Sequence, residues 1–113
     1  MGISKGEFLP MASDKRYLEY VLEQLSGLDA VTHRAMMGEY ILYYRGKAFG
    51  GIYDNRFLVK TTKSAGALMP TAPHELPYEG AKEMLLVENL EDRDFLTGLI
   101  EAVWEDLPAP GKK

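Results

Sequence analysis

The centre of the chain contains three short strand-like runs that are joined by very short links. Residues 40–44, 47–53 and 56–61 are rich in aromatic and β-branched side chains, and only Arg45-Gly46 and Asp54-Asn55 separate them. Two-residue links join antiparallel strands, whereas parallel strands need a crossover of a dozen residues or more. The sequence therefore predicts an antiparallel meander, and the rest of the chain has to pack around it.

Amphipathic helices are predicted on both sides of this meander. The first runs over residues 14–25 with Ser13 as its N-cap, and the last runs from an Asn89 cap to Leu107, where Pro108 ends it. Each has one apolar stripe, which it must bury. The expected fold is α+β with two layers, in which the N- and C-terminal helices pack on one face of an antiparallel sheet.

Shorter elements fill the remaining sequence. Residues 31–34 and 84–87 are predicted strands, residues 64–69 a short helix, and Pro70, Pro73 and Pro77 mark an extended loop. We expect one domain over residues 13–107, with residues 1–12 as a flexible tail or leader and residues 108–113 as a C-terminal tail.

Two-residue turns would fix the register of the meander and divide its side chains between two faces. Tyr44 would then face Lys47, Leu42 would face Phe49, and Gly51 would face Leu58. One face would be the core and would carry Ile41, Tyr43, Ala48, Gly50, Ile52, Phe57 and Val59.

The opposite face is the candidate functional surface, because it is too aromatic for plain solvent exposure and too charged for burial. With the methionines of the preceding bend, its candidate partner-binding residues are Tyr40, Leu42, Tyr44, Lys47, Phe49, Tyr53, Arg56, Lys60, Met36 and Met37. Such a face fits a protein interface or a surface on which nucleic-acid bases stack. It would be explained equally well by tyrosines that are present only because they favour β-strands, with their rings packed over the aliphatic parts of lysines.

Charge and composition narrow the function classes. The net charge is -4, but residues 40–63 hold five basic and one acidic side chain, while residues 79–107 hold nine acidic and two basic ones. There is no cysteine, so disulfides and thiolate sites are excluded, and a reducing cytoplasm fits the chain. No apolar run is long enough for a membrane span, and nothing at the N-terminus is typical of a secretory signal.

No catalytic, metal or cofactor constellation is recognisable in the sequence. His33 and His74 are far apart, and Glu101 and Glu105 lie on the polar side of a predicted helix. Gly50-Gly51 lacks the spacing of a phosphate loop, and close helix packing is the simpler reason for it. The sequence therefore predicts a protein that is not an enzyme and needs no cofactor.

Motifs in the meander resemble a known family. Arg34-Ala35-Met36-Met37-Gly38-Glu39, the Gly46–Gly50 run and Phe57-Leu58-Val59-Lys60 look like the TfoX (Sxy) N-terminal domain, and the similarity extends over about residues 13–107. The resemblance implies a two-layer α+β domain of bacterial regulators associated with competence gene expression, without enzyme activity. Longer members carry a separate helical C-terminal domain, which is not in this sequence, and Gly38-Glu39 stands where members commonly have two glycines.

Three functional hypotheses remain open at this point. The first is a regulatory or adaptor domain that associates with protein, a homodimer included. The second is a nucleic-acid-binding module that uses the same aromatic and basic face, and the third is a small-molecule sensor with a pocket between the sheet and the proline-rich loop at residues 70–77.

Overall fold

The computed structural model describes residues 14–108, so the predicted tail at residues 1–12, the predicted cap Ser13 and all of the predicted C-terminal tail except Pro108 lie outside the described residues. Three helices and six strands follow one another in the order α1 (Lys15–Gln24), β1 (Val31–Met36), β2 (Glu39–Tyr44), β3 (Lys47–Ile52), β4 (Phe57–Lys60), α2 (Lys63–Leu68), β5 (His74–Glu75), β6 (Met84–Leu86) and α3 (Arg93–Asp106).

The strands form one open antiparallel sheet in the order β1-β2-β3-β4-β6-β5. One large buried cluster joins the apolar stripes of α1 and α3 to one face of this sheet, called here the helix face. The predicted α+β class, with helices packed on an antiparallel sheet, is therefore confirmed. The proline-rich loop contributes one short strand, β5, that the sequence did not predict.

Aspartates rather than the predicted residues cap the two long helices. The carboxylate of Asp14 accepts a hydrogen bond from the Arg16 backbone N–H at 2.8 Å, and that of Asp92 accepts from Phe95 N–H at 3.0 Å. Asp92 replaces Asn89 because α3 begins only at Arg93. A side-chain oxygen at this position satisfies an N–H that has no partner within the helix.

The three hairpins that join β1 to β4 have two-residue turns with a left-handed backbone at both positions. The φ angles are 54° and 85° at Met37-Gly38, 48° and 85° at Arg45-Gly46, and 55° and 56° at Asp54-Asn55. Positive φ at both central residues defines the type I′ turn, whose twist matches that of the flanking strands. The last two turns confirm the predicted meander, while the first is a full hairpin where only a bend was expected.

A β-bulge in β3 overturns part of the predicted register. Tyr44 faces Lys47 and Gly51 faces Leu58 as expected, but Leu42 faces Gly50, and the pairing shifts between Leu42 and Tyr43. Phe49 is therefore an extra residue opposite β2, and a bulge of this kind reverses the alternation of faces along its strand.

The predicted division into faces is consequently wrong for β2 and for the start of β3. Leu42, Tyr44 and Phe49 are buried among the helices, while Ile41, Tyr43 and Ala48 belong to the opposite face. Beyond the bulge the prediction is correct, because Ile52, Phe57 and Val59 are fully buried in the core.

Candidate partner-binding surface

Half of the sequence-predicted binding residues lie on the helix face rather than on an exposed surface. Leu42 and Phe49 have no exposed surface, and Tyr44 is only 2% exposed. The Phe49 ring meets the Phe57 ring edge-on, with centroids 6.4 Å apart, and the Tyr44 ring meets the Trp104 ring in the same way at 6.0 Å. Tyr40, half-buried, packs against the same core. The aromatic residues on which a base-stacking platform depended therefore hold the sheet to its helices.

Lys47 is the fifth residue of this group, and it contacts the end of α3. Its ammonium donates hydrogen bonds to the carbonyl oxygens of Trp104 and Leu107, both at 2.9 Å, and lies 4.0 Å from the centre of the Trp104 ring. A cation at a helix C-terminus is favourable because the last carbonyls have no partner within the helix and carry partial negative charge. Lys47 is thus engaged within the fold.

Tyr53 and Arg56 hold the segment after β5 against the other side of the sheet, called here the outer face. The Arg56 guanidinium donates to Glu75 Oε1 at 2.7 Å and to the Leu76 carbonyl at 3.1 Å. Tyr53 is 8% exposed and packs with Leu58 and Met84 in a small second cluster. Burial raises the pKa of the Tyr53 phenol above its usual range, and the neighbouring Tyr78 adds to this effect.

Gly51 makes room for this second cluster. A Cβ atom at Gly51 would lie 2.5 Å from the Tyr40 carbonyl oxygen and 2.8 Å from the Tyr53 ring. At Gly50, a Cβ atom would collide with the Leu58 carbonyl on β4. Close approach of a neighbouring strand and of a tyrosine ring therefore explains this glycine pair, and the predicted reason of close helix packing is wrong.

The remaining three predicted residues are exposed, but they do not lie together. Lys60 is at the end of β4 on the outer face, whereas Met36 and Met37 form the tip of the β1–β2 hairpin. Met36 is 45% exposed and Met37 95% exposed. Met37 also has a φ of 54°, a left-handed conformation that is unfavourable for a side chain of this size. An exposed apolar residue in a strained backbone marks this tip as a candidate contact point.

Strand β1 is the longer of the two free edges of the sheet. It has six residues, of which five are exposed, and it contains neither proline nor lysine. The opposite edge, β5, has only two residues and lies between Pro73 and Pro77. Short strands and prolines are common protections against edge-to-edge pairing. The β5 edge has both, and β1 has neither.

The hairpin geometry shows which backbone groups of β1 are available. The pair that flanks a two-residue turn exchanges hydrogen bonds, and such pairs alternate along the ladder. Met36 pairs with Glu39 beside the turn, and Arg45 N–H donates to Ala30 at the other end. Met36, Arg34 and Thr32 therefore direct their backbone groups to β2. The outward groups are those of Val31, His33 and Ala35.

Sequence reasoning missed this edge. It considered His33 only as a metal ligand and did not consider Val31 or Ala35. The order of strands in a sheet depends on tertiary pairing, so a single sequence does not show which strand has a free side. The Met37-Gly38 pair was the available signal, because a glycine at the second turn position fits a two-residue hairpin.

Within residues 14–108 there is no group of three or more metal-ligating side chains, and no helix of this part of the chain is long and apolar enough to cross a bilayer.

The sequence is similar to a known family and to a known protein. The sequence model of the family described as "TfoX N-terminal domain" matches residues 23–106. The chain is also similar to a protein of Spirochaeta aurantia described as "Uncharacterized 12.7 kDa protein in trpE 5'region", with 32% identity over 101 residues that cover 88% of each chain.

Proposed function

This chain belongs to the TfoX N-terminal domain family, and from that premise we propose that it is a regulatory domain, without catalytic activity, that works by associating with protein through the free edge of β1. Membership supports the competence-regulator-like character of the domain. The association rests on one observation, the long edge of β1, which neither proline nor lysine protects, with a strained, exposed Met37 beside it.

Strand addition at this edge requires little beyond what β1 already presents. The backbone N–H and C=O groups of its three outward residues stand at the regular spacing of a sheet and need only an extended partner. The Met36 and Met37 side chains lie at the end of the same edge, where flexible thioether side chains adapt to a partner's surface.

The proposed partner is a second copy of the chain. Strands of two copies would pair antiparallel about a two-fold axis, the commonest symmetry of protein oligomers. Since paired residues must lie on the same face of the sheet, the register that uses every outward group places His33 opposite His33 and Val31 opposite Ala35. This arrangement gives six backbone hydrogen bonds and places Thr32 opposite Arg34 on the outer face.

Charge supports a contact at this strand. The chain carries a net charge of -4, so two copies repel each other at long range. Strand β1 has no acidic residue and contains Arg34, so pairing of two β1 strands places no carboxylates of the strands against each other.

Proline at position 35 tests the proposal. Ala35→Pro removes one outward N–H and no bond to β2, so the domain should fold while its association is lost. Ala35→Ser is the matched control, because it also replaces the alanine side chain by a small one but keeps the backbone N–H. Sedimentation equilibrium over a wide concentration range should show a monomer–dimer equilibrium for the wild type and for Ala35→Ser, and only monomer for Ala35→Pro.

Two results would count against the proposal. One is a wild-type chain that stays monomeric up to a concentration on the order of 1 mM, where even very weak pairing is visible. The other is an Ala35→Pro variant that dimerises as the wild type does. Circular dichroism of each variant establishes that the fold is kept.

A further inference from the structure

We propose that the outer face of the sheet binds a small amphipathic carboxylate, in a groove separate from the β1 edge. The groove has a volume of about 600 Å³ and lies between β2–β4 and the segment that precedes β6. It is independent of the proposed association, since neither Met36 nor Met37 nor the outward residues of β1 line it.

The floor of the groove is apolar. Ile41 and Ala48 come from β2 and β3, and Met84 comes from β6. The bulge at Phe49 reverses the alternation of side chains between the two faces of the sheet. Ile41 and Ala48 therefore lie on the outer face. Both are partly exposed, so an apolar chain laid on them would be removed from water.

Two cations stand beside this floor. Lys60 and Lys82 both line the groove, and within residues 14–108 neither side chain has a hydrogen-bond or ion-pair partner. The acidic side chain of the lining, Glu83, has its Oε1 atom 3.5 Å from His74 Nδ1. Free ammonium groups beside an apolar surface are complementary to a ligand with an anionic head and a hydrocarbon body.

The wall of the groove is held in place by bonds that leave the lysines free. Thr61 Oγ1 donates to the Glu83 carbonyl at 3.0 Å, and Arg56 donates to the Leu76 carbonyl at 3.1 Å. Tyr53 and Tyr78, with ring centroids 6.2 Å apart, close the same side. The volume of the groove is in the range of small-molecule sites, and these contacts already hold its wall in place. Both features favour a small-molecule ligand.

Decanoate is a suitable probe, since it combines one carboxylate with a flexible apolar chain, and decyltrimethylammonium is its cationic counterpart. Isothermal titration with the full chain should show saturable binding of one decanoate per chain. We expect the Lys60→Gln/Lys82→Gln double variant to bind at least tenfold more weakly. Lys15→Gln is the matched control, because Lys15 is an exposed lysine on α1, outside the groove, and should leave binding unchanged.

A second variant tests the floor without changing charge. Ala48→Leu places a larger side chain on a partly exposed position of the floor and should weaken decanoate binding while the far-ultraviolet circular dichroism stays that of the wild type.

Several outcomes would overturn the assignment. They are no saturable decanoate binding, equal binding of the cationic probe, or undiminished binding by the double lysine variant. Binding of an acidic peptide by the same lysines without binding of decanoate would also reject the small carboxylate, in favour of a macromolecular ligand. Each result is read independently of dimerisation, because Ala35→Pro should bind decanoate as the wild type does.

Discussion

Met37 combines an unfavourable backbone conformation with an almost fully exposed side chain. It occupies the first central position of a type I′ turn with φ of 54° and is 95% exposed, so the fold gains little burial from its side chain. Asparagine and glycine are the residues that this position favours, since they adopt the left-handed conformation at low cost. The strain at Met37 is consistent with a side chain that is needed for contact with a partner.

Met37→Asn should therefore stabilise the fold and weaken association. The expected gain in the free energy of unfolding is about 1 kcal/mol, the cost of a left-handed backbone for an ordinary residue. Urea denaturation measures it, and Met36→Asn is the control, because the same change at an extended position should bring no gain. A destabilised Met37→Asn variant would show that the methionine makes contacts within the fold.

Lys47 is a residue whose contacts were not visible in the sequence. Its ammonium group bonds two carbonyls at the end of α3 and lies over Trp104. Lys47→Met keeps most of the aliphatic stem and removes both bonds, so we expect a loss of about 2 kcal/mol in the free energy of unfolding.

Lys60→Met is the matched control for that substitution. Lys60 is exposed and has no bonding partner within residues 14–108, so its loss should change stability little. Equal stability of the two variants in urea denaturation would contradict the capping role of Lys47.

At the scale of elements, the sequence was informative wherever local rules decide structure. The two helical stripes, the two-residue turns after Tyr44 and Tyr53, and the antiparallel meander all follow from spacing and turn chemistry. The bulge at Phe49 does not follow from them, because its place depends on which side chain the helices can bury. One extra residue was enough to put the predicted binding face of β2 into the core.

The glycine after the bulge gives a prediction for the packing of the outer face. A Cβ atom at Gly51 would overlap the Tyr40 carbonyl, which is a backbone group of the neighbouring strand, and the Tyr53 ring, which is only 8% exposed. Gly51→Ala should cost about 2 kcal/mol in the free energy of unfolding, as overpacked sites do.

Gly98 is the matched control, since it lies in α3 and a Cβ atom there would meet nothing within 4 Å. Gly98→Ala should stabilise the fold by about 1 kcal/mol, because alanine is the better helix former. The two changes should thus have opposite signs in the same denaturation experiment. A neutral Gly51→Ala would mean that the Tyr53 ring gives way easily.

For the whole molecule, the single binding surface that the sequence predicts corresponds to three separate regions of the structure. The helix face uses its aromatic residues for the core, the groove on the outer face presents Lys60 and Lys82, and the β1 edge presents backbone groups. Pairing of two β1 strands would join two six-stranded sheets into one continuous sheet and leave both grooves accessible. We therefore propose association at the β1 edge and ligand binding in the groove.

Cysteine cross-linking at position 33 tests this geometry most directly, because the chain has no cysteine of its own. In the proposed register, position 33 faces itself across the two-fold axis at about 5.5 Å between Cα atoms, which a disulfide can span. Positions 35 of the two copies would be about 14 Å apart, which it cannot span. We expect a rapid intermolecular disulfide in His33→Cys under mild oxidation and none in Ala35→Cys. Equal cross-linking of both variants, or of neither, would contradict pairing at the β1 edge.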